Sequence, residues 1–460
     1  MIKEEKLRLL KVLHFVLTIS IFVGGYVLFY GAGLNFNLHI KADLLLFSVY
    51  SVLLFLFLRI YCGYGIGSYS ITDLCFSQSI AQLISIFTTY FMLAFRFMKL
   101  LNPLPLFGVL FCQVLINVIW TKFTNHFYFA GYKRNKVVLI YTEQSSKRRI
   151  SEIKDFALKY EIVKELKGHL SFEHIISELN GIECIFVSGV DATLRNELAK
   201  YCVKNDIVGY FAPHIGDVIM LGAKHETHTS VPFLLVKQSS PTPEYLLVKR
   251  AFDILVSLIA IVLFSPLMLI TGIMIKLYDG GPVFYKQVRL TIDRKEFKIV
   301  KFRSMRVDAE RDGIARLSTE NDNRITPIGR VIRAIRFDEL PQLFNILKGD
   351  MTIVGPRPER PEIAEQYEEY MPEFALRLQV KAGLTGFAQV YGKYNTDPYD
   401  KLQFDLMYIN KMGVIEDLRL MFMTVKTLFT KESTSGVTQG AITAHDIDCR
   451  GNADESVNAH

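Results

Sequence analysis

One apolar run, I-L-V-S-L-I-A-I-V-L-F-S-P-L-M-L-I-T-G-I-M-I at residues 254–275, decides how this chain folds. It exceeds the ~20 residues that a helix needs to cross a bilayer. Ser265 and Pro266 lie at its midpoint, where proline removes a backbone donor and the serine hydroxyl can satisfy a freed carbonyl. Two interpretations fit equally well: a proline-kinked helix that spans the membrane, or a helix, break, helix hairpin.

The charged residues beside this run leave that choice open. Lys249, Arg250 and Asp253 precede it, and Lys276 follows it. In a hairpin, the cationic side chains at both ends would snorkel to the same interface. In a spanning helix, the last third of the chain would be separated by the membrane from the domain that precedes the run.

The composition is that of an integral membrane protein. Half of the 460 residues are hydrophobic and only 22% are charged. Basic residues before and after the N-terminal apolar runs place both flanks in the cytoplasm, although Arg96 and Lys99 fall on the outer side. We predict a four-span transmembrane domain at residues 1–125. Its spans are the runs at 12–30, 44–60, 77–95 and 104–120.

In residues 126–245, strand-like and helix-like segments alternate, as they do in a soluble α/β domain. Buried-strand runs at 137–141 and 184–187 are each followed by a helical pattern, which is typical of a Rossmann-like fold. The turn after the first strand, T-E-Q-S-S at 142–146, has no glycine that would let a pyrophosphate approach the helix N-terminus. We therefore expect a degenerate Rossmann-like domain with a regulatory or spacer role.

The segment after the apolar run is strongly basic. Residues 282–349 contain 15 Lys or Arg against 9 Asp or Glu, a local excess of +6 in a chain of net charge +7. Nucleic acid, anionic lipid and nucleotide phosphate all suit such a surface, and so does a merely solvated face. Arg330, Arg333 and Arg336 recur every three residues, which predicts one helical face that an anion would stabilise.

An acidic pair, Asp338 and Glu339, stands inside this basic segment, in I-R-F-D-E-L-P-Q-L-F-N at 335–345. Local structure alone explains the aspartate, as a helix N-cap with Pro341 in the first turn. The alternative is chemical, because an acidic pair among arginines can hold a divalent cation and attack phosphorus. Arg357, in V-G-P-R-P, has the planar fork that suits a phosphate.

These segments together resemble the bacterial sugar transferase family. The resemblance rests on K-R-A-F-D, L-F-S-P, F-K-I-V-K-F-R-S-M, F-D-E-L-P-Q-L-F-N-I-L-K-G-D-M, V-G-P-R-P and G-L-T-G-F-A-Q-V, which follow in order within residues 249–429. It implies a re-entrant membrane hairpin at 246–278, broken at Ser265 and Pro266, and a monotopic α/β catalytic domain at 279–430. The polar tail at 431–460 looks disordered.

The resemblance also implies an activity. The family moves a hexose 1-phosphate, here with glucose or galactose as leading candidates, from a UDP-sugar to undecaprenyl phosphate and releases UMP. Asp338 would be the nucleophile that forms a phosphosugar adduct, Glu339 would assist, and both would hold the cofactor Mg²⁺. Matching motifs assign phosphate or nucleotide binding to Lys301, Arg357 and Asp405, to which the basic pattern adds Arg303, Arg333 and Arg336.

Location and partners follow from the same resemblance. It implies a multi-pass protein of the bacterial inner membrane, with the catalytic domain on the cytoplasmic face, at the first membrane step of exopolysaccharide, capsule or O-antigen synthesis. Membrane lipid is an expected partner, a homodimer and polysaccharide-assembly proteins are candidates, and nucleic acid is not expected. Lys381, Ala382 and Lys393 depart from the family pattern, which usually has R-P and an arginine there.

A rival hypothesis is a membrane receptor or scaffold without catalysis that senses nucleotide or anionic lipid. It explains the membrane anchor and the basic charge. It does not explain the acidic pair inside the basic surround.

Overall fold

A computed structural model describes residues 2–30, 40–130, 134–142, 159–226, 231–239, 241–307, 322–392 and 397–428. The chain divides into two compact units, residues 1–213 and 214–460. The tail at 431–460 and Lys393 lie outside the described residues.

The first unit begins with four helices that each contain one of the predicted spans. They are α1 Ile2–Phe29, α2 Ile40–Ile60, α3 Ile71–Arg96 and α4 Leu104–Phe129, all long and apolar enough to cross a membrane. Their shared interior is polar: Asn117 donates to Gln82 at 2.8 Å, and Gln113 donates to the Tyr50 hydroxyl at 2.9 Å. Because unpaired polar groups are costly in hydrocarbon, these bonds between helices stabilise the bundle.

Arg96, an exception to the charge rule, has a partner in the bundle. Its guanidinium forms an ion pair with Asp43, which also accepts a hydrogen bond from the Tyr26 hydroxyl at 2.7 Å. Asp43 lies in the first turn of α2 and Arg96 is the last residue of α3. The pairing explains how an arginine is tolerated at this end of the bundle.

The first unit also contains the predicted Rossmann-like sheet. Its elements are β1 Asn135–Tyr141, β2 Tyr160–Lys167, α5 Phe172–Ser177, β3 Cys184–Ser188, α6 Ala192–Lys204 and β4 Val208–Phe211. All four strands are parallel, in the order β2-β1-β3-β4. β1 and β3 are almost wholly buried, which accounts for their unbroken apolar sequences. Residues 143–146 of the glycine-free turn lie outside the described residues.

The second unit is a mixed α/β domain. Its first elements are α7 Ile215–Leu221, β5 Lys224–Glu226, β6 Phe233–Leu235, α8 Pro243–Asp279, β7 Phe284–Leu290 and β8 Glu296–Phe302. Then follow α9 Pro327–Ala334, α10 Gln342–Lys348, β9 Thr352–Val354, α11 Pro361–Tyr370, β10 Gly383–Thr385, α12 Phe387–Tyr391, α13 Pro398–Lys411 and α14 Val414–Leu428. Single 3₁₀ segments occupy Ile292–Arg294, Phe337–Glu339 and Pro372–Gln379.

Two pairs of strands and a large hydrophobic core organise this unit. β7 and β8 form an antiparallel hairpin, and β9 and β10 pair in parallel. α7 belongs to the same core, since Ile215 and Val218 are buried in it. The predicted Rossmann-like domain at 126–245 includes this helix, but in the structure α7 packs into the second unit.

The decisive apolar run lies inside one uninterrupted helix, α8, with Pro266 in its interior. Ser265 donates its hydroxyl hydrogen to the carbonyl of Val262 at 2.9 Å. That carbonyl is the one that proline, four residues later, leaves without its helical donor. The compensation predicted for the serine is therefore present, while no loop separates the two halves of the helix, so any change of direction is a bend within it.

The start of α8 is fixed by polar contacts with the second unit. Lys249 donates to the carbonyl of Val354 at 2.9 Å and forms an ion pair with Asp417 at 2.7 Å. The buried Asp253 carboxylate accepts hydrogen bonds from β9 at 2.7 and 3.0 Å, and Arg250 donates to the last carbonyls of α10. Carboxylates and carbonyls of the protein thus bind Lys249 and Arg250. Lys276, at the other end of the apolar run, is exposed, and snorkelling of its side chain to an interface stays a prediction.

The middle and the end of α8 contact the same unit. Phe264 packs edge-on against Phe337, with ring centroids 6.4 Å apart, and Met268 is buried beside Phe337. Asp279 forms an ion pair with Arg303. A helix crossing the bilayer away from this domain would contact it near one end. Contacts along the length of α8 therefore favour a bent helix that stays beside the domain over a spanning helix, while the predicted break at Ser265 and Pro266 is absent from the helix.

We expect Asp253→Ala to destabilise the second unit, because it leaves the Thr352 hydroxyl and the Ile353 N–H buried without acceptors. Each loss costs about 1–3 kcal/mol. Thermal unfolding of the detergent-solubilised protein measures the effect. Glu296→Ala, which removes an exposed carboxylate, is the control. Equal unfolding temperatures for the two variants would contradict this account of how α8 is held.

Candidate active site

A cavity of about 500 Å³ opens in the second unit. Its walls come from the β7–β8 hairpin, the 3₁₀ turn Phe337–Glu339, the V-G-P-R-P loop and the start of α13. The predicted site residues that line it are Lys301, Arg303, Arg333, Arg336, Asp338, Glu339 and Arg357. Segments far apart in the sequence thus place both carboxylates and most of the predicted cations in one cavity.

The acidic pair lies in a 3₁₀ turn, and the predicted N-cap role of Asp338 was wrong. α9 ends at Ala334, Arg336 has a left-handed backbone with φ of 52°, and α10 begins only at Gln342. Few non-glycine residues adopt positive φ. That residue turns the chain sharply, so that Asp338 lies before the next helix and not at its first turn.

The predicted single face of three arginines was also wrong. Arg330 and Arg333 share α9, but Arg336 lies beyond its end. Arg333 and Arg336 line the cavity, whereas Arg330 is exposed and does not. The helix contributes one arginine to the cavity, and the left-handed residue after it contributes the other.

Glu339 is buried, with an exposed fraction of 9%, and it is held by two cations. Its Oε1 accepts hydrogen bonds from Lys301 Nζ at 2.8 Å and from Arg357 Nη2 at 2.9 Å. Burial alone would raise the pKa of Glu339, but Lys301, Arg357 and Arg336 hold it well below its usual range. Glu339 is therefore ionised at neutral pH and fixes both cations in the cavity.

Asp338 is the neighbour of Glu339, and its pKa is shifted in the opposite direction. Burial, reinforced by the negative charge of Glu339, raises the pKa of Asp338 to about 6 against the pull of Lys301, Arg333 and Arg357. Among the described residues its carboxylate has no hydrogen bond or ion pair. At neutral pH the Asp338 side chain is thus an ionised carboxylate in a basic cavity, a combination typical of functional sites.

The V-G-P-R-P loop is held by the strand that follows it in the sheet. The Gly355 N–H donates to the Thr385 carbonyl at 2.8 Å, and the Gly383 N–H donates to the Pro356 carbonyl at 2.8 Å. A Cβ at Gly383 would lie 2.1 Å from the nitrogen of Gly355. The two backbones come this close only because both residues are glycine.

Asp405 lies behind the cavity wall, not in it. Its carboxylate is 1% exposed and forms an ion pair with Arg377 at 2.7 Å. Arg377 in turn donates to the backbone carbonyl of Arg357 at 2.7 Å. Burial raises the pKa of Asp405 to about 6, opposed by Arg377 and Lys401. Asp405 is therefore connected to the V-G-P-R-P loop through Arg377.

Arg303 and Lys381 make their polar contacts outside the cavity. Arg303 borders the cavity, but its side chain is 7% exposed and is paired with Asp279 at the end of α8. Lys381, one of the departures from the family pattern, donates to the Gly349 carbonyl at 3.0 Å and does not line the cavity.

Sequence reasoning missed Arg377 and Lys401, which both line the cavity. Arg377 is the single charge in the apolar stretch F-A-L-R-L-Q-V, a pattern that predicts a buried and paired arginine. Lys401 precedes Asp405 by four residues, which places both on one face of a helix. Neither signal identifies a binding partner without the fold.

The donors present suit Mg²⁺ in part. Asp338 and Glu339 supply carboxylate oxygens on one wall of the cavity, and Mg²⁺ is commonly held by one or two carboxylates with substrate phosphates and water. Oε1 of Glu339 is occupied by Lys301 and Arg357, so its second oxygen is the donor left for a metal. Within the described ranges, no group of three or more His, Cys, Asp or Glu residues forms a metal site.

The part of the chain that carries the cavity is similar to a known protein family. The model of the family described as "Bacterial sugar transferase" matches residues 244–431. "UDP-N-acetylgalactosamine-undecaprenyl-phosphate N-acetylgalactosaminephosphotransferase" of Aeromonas hydrophila is 43% identical over 41% of this chain and 45% of its own length. "UDP-glucose:undecaprenyl-phosphate glucose-1-phosphate transferase" of Klebsiella pneumoniae is 36% identical over 48% of this chain and 49% of its own.

A shorter relative is matched almost end to end. "Exopolysaccharide production protein PSS" of Rhizobium leguminosarum bv. phaseoli is 40% identical over 97% of its length and 40% of this chain. The chain spans about half the length of the two longer relatives. The residues matched by the family model, 244–431, lie in the second unit, which carries the cavity.

We expect Asp338→Asn to stabilise the protein at pH 7.5. A carboxylate whose folded pKa is raised to about 6 supports folding below its unfolded pKa and loses that contribution as pH rises through 6. The asparagine variant has no carboxyl group here and does not lose this contribution. Its free energy of unfolding should therefore exceed that of wild type by an amount that grows from pH 4.5 to pH 7.5, to at most about 3 kcal/mol. Denaturant unfolding at both pH values measures it.

The matched control is Asp293→Asn, which changes an exposed aspartate outside the cavity. Its effect on the free energy of unfolding should be small at both pH values. An Asp338→Asn variant whose stability relative to wild type is the same at pH 4.5 and 7.5 would show that Asp338 is not the strained carboxylate described here.

Proposed function

This chain belongs to the bacterial sugar transferase family, and from that premise we propose that its second unit transfers a sugar 1-phosphate from a UDP-sugar to undecaprenyl phosphate, releasing UMP. The observation that carries the proposal is Asp338, an ionised carboxylate without a described partner in a cavity lined by cations. The rival receptor or scaffold explains the cations and the membrane helices, but it gives no role to such a carboxylate.

The reaction runs in two displacements. An oxygen of Asp338 attacks the β-phosphorus of the UDP-sugar, the bond from that phosphorus to the bridging oxygen breaks, and UMP leaves with the electron pair. An oxygen of undecaprenyl phosphate then attacks the same phosphorus. The bond to Asp338 breaks, the carboxylate is regenerated, and the sugar is left on a lipid diphosphate.

Charge is the main obstacle to both steps, because the nucleophiles and the substrate are all anionic. Lys301 and Arg357, fixed by ionised Glu339, offset the negative charge of the transferring phosphoryl group. Arg333 and Arg336 add positive charge on the same wall. We propose Mg²⁺ as cofactor, held by Glu339 and Asp338, where it would neutralise charge on the diphosphate of the substrate.

We propose that α8 holds this chemistry at a membrane. Phe264, two residues before Pro266, touches Phe337, the neighbour of Asp338. Exposed apolar side chains on the outward side of α8, such as Val262, Leu263 and Leu269, suit lipid. A site held beside such a helix meets both a lipid phosphate and a soluble nucleotide, and we place it on the cytoplasmic face of the inner membrane.

The sugar is the part of the proposal that the cavity supports least. Glucose and galactose are the expected sugars, and the names of the relatives add N-acetylgalactosamine. We propose a hexose or N-acetylhexosamine 1-phosphate as the transferred group, and the first membrane step of exopolysaccharide, capsule or O-antigen synthesis as the role.

The direct test is UMP release by the purified full-length protein with Mg²⁺, undecaprenyl phosphate and UDP-glucose, UDP-galactose or UDP-N-acetylgalactosamine. At least one UDP-sugar should yield UMP, and Asp338→Asn should reduce the rate at least a thousandfold, on the order of losing a nucleophile. Asp293→Asn should keep the wild-type rate. No UMP from any sugar, or undiminished release by Asp338→Asn, would exclude the transferase.

Membrane orientation has its own test, in a variant without the native cysteines. Lys136→Cys and Lys411→Cys should resist a membrane-impermeant maleimide in intact cells and react after lysis, whereas Lys99→Cys should react in intact cells. This pattern follows if four helices cross the bilayer and α8 does not. Labelling of position 411 but not 136 from outside would show that α8 spans.

A further inference from the structure

Lys401 is a charged side chain in the cavity that the reaction described above does not use. It lies near the start of α13, one helical turn before Asp405, and lines the cavity. Among the described residues, the ammonium of Lys401 has no hydrogen bond and no ion pair. The nearby acid, Glu359, is already paired with Arg289 at 3.2 Å.

Its surroundings make this cation costly unless an anion joins it. Burial lowers the pKa of the Lys401 ammonium, Glu359 opposes that effect, and the positive charges of Arg377 and Arg357 lower the pKa further. A half-buried ammonium beside two guanidiniums, without an ion pair among the described residues, has an electrostatic deficit that a bound anion removes. Unpaired cations that line a cavity are typical of ligand sites.

The position of Lys401 indicates which part of the substrate it meets. Lys401 and Arg357 line the same cavity, and a series of contacts connects their walls. Asp405, one turn after Lys401, pairs with Arg377, and Arg377 donates to the backbone carbonyl of Arg357. Because Arg357 also donates to Glu339, the neighbour of Asp338, it connects the acidic pair with the α13 wall that carries Lys401.

We propose that Lys401 binds the α-phosphate of the nucleotide, the phosphate that leaves with UMP. This rests on the proposed transfer from a UDP-sugar, whose two phosphates are adjacent and would span the two groups of cations. The α-phosphate gains a negative charge as the bond to the bridging oxygen breaks. An ammonium at that place interacts more strongly with the departing group than with the bound substrate, and so it accelerates the first displacement.

Binding measurements test the site without turnover. In full-length Asp338→Asn protein, calorimetry compares UMP, uridine and inorganic phosphate. Adding Lys401→Met should weaken UMP binding roughly ten- to hundredfold, as expected for a lost hydrogen bond to a charged group, and should leave uridine binding unchanged. Lys401→Arg should restore part of the affinity. Lys411→Met, an exposed lysine at the end of the same helix, should change nothing.

Two outcomes of that comparison would overturn the proposal. One is UMP affinity that Lys401→Met leaves unchanged. The other is an equal loss of UMP and uridine binding in both Lys401 variants, which would indicate a role in folding. If instead UMP binding responds as expected while Asp338→Asn still releases UMP from substrate, Lys401 remains a nucleotide-phosphate site and the covalent route fails.

The two half-reactions give an independent readout in protein with Asp338 intact. Lys401→Met should slow the release of UMP when lipid is absent, and it should not slow the capture of a preformed adduct by undecaprenyl phosphate. Equal slowing of both half-reactions would contradict a role on the leaving phosphate. Slowing of capture alone would assign Lys401 to the lipid phosphate instead.

Discussion

The ionised carboxylate of Glu339 is the interaction on which the site depends. Through one oxygen it holds Lys301 from the β7–β8 hairpin and Arg357 from the V-G-P-R-P loop. It therefore joins three segments of the chain at the cavity. Its charge also adds to burial in raising the pKa of Asp338. The same carboxylate thus fixes the two cations proposed to bind phosphate and raises the pKa of the proposed nucleophile beside it.

The membrane helix is mechanically part of this site. Its start is bound to β9, which leads into the V-G-P-R-P loop, through Lys249 and Asp253. Its middle touches the turn that carries the acidic pair, through Phe264 and Phe337. If α8 lies at the lipid surface, as proposed, these contacts fix the distance of the cavity from that surface. For the proposed reaction between a lipid phosphate and a soluble nucleotide, that distance determines whether both substrates reach Asp338.

Much of this organisation could be predicted from local sequence patterns. Unbroken apolar runs predicted the four N-terminal helices and the parallel strands, because burial on all sides selects such runs. The serine before Pro266 was predicted to satisfy the carbonyl that proline frees, and it does. These are effects between residues close in sequence, where chain geometry alone brings the groups together.

What could not be predicted depends on contacts between distant residues. The N-cap assigned to Asp338 was wrong because Arg336 adopts a left-handed backbone, a local cost that only the surrounding packing can sustain. The partners of Lys249 and Asp405 lie in other elements, so the charge of Lys249 was interpreted as a lipid contact and that of Asp405 as a substrate contact. A pattern identifies a charge that must be neutralised, but only the fold identifies the group that does so.

The measurement that tests the account most directly is the mass of the protein after incubation with UDP-sugar and Mg²⁺ in the absence of undecaprenyl phosphate. The account predicts a gain of one sugar phosphate, located by peptide mapping on the segment that contains Asp338 and lost when undecaprenyl phosphate is added. Release of UMP with no adduct, or an adduct on another residue, would contradict it.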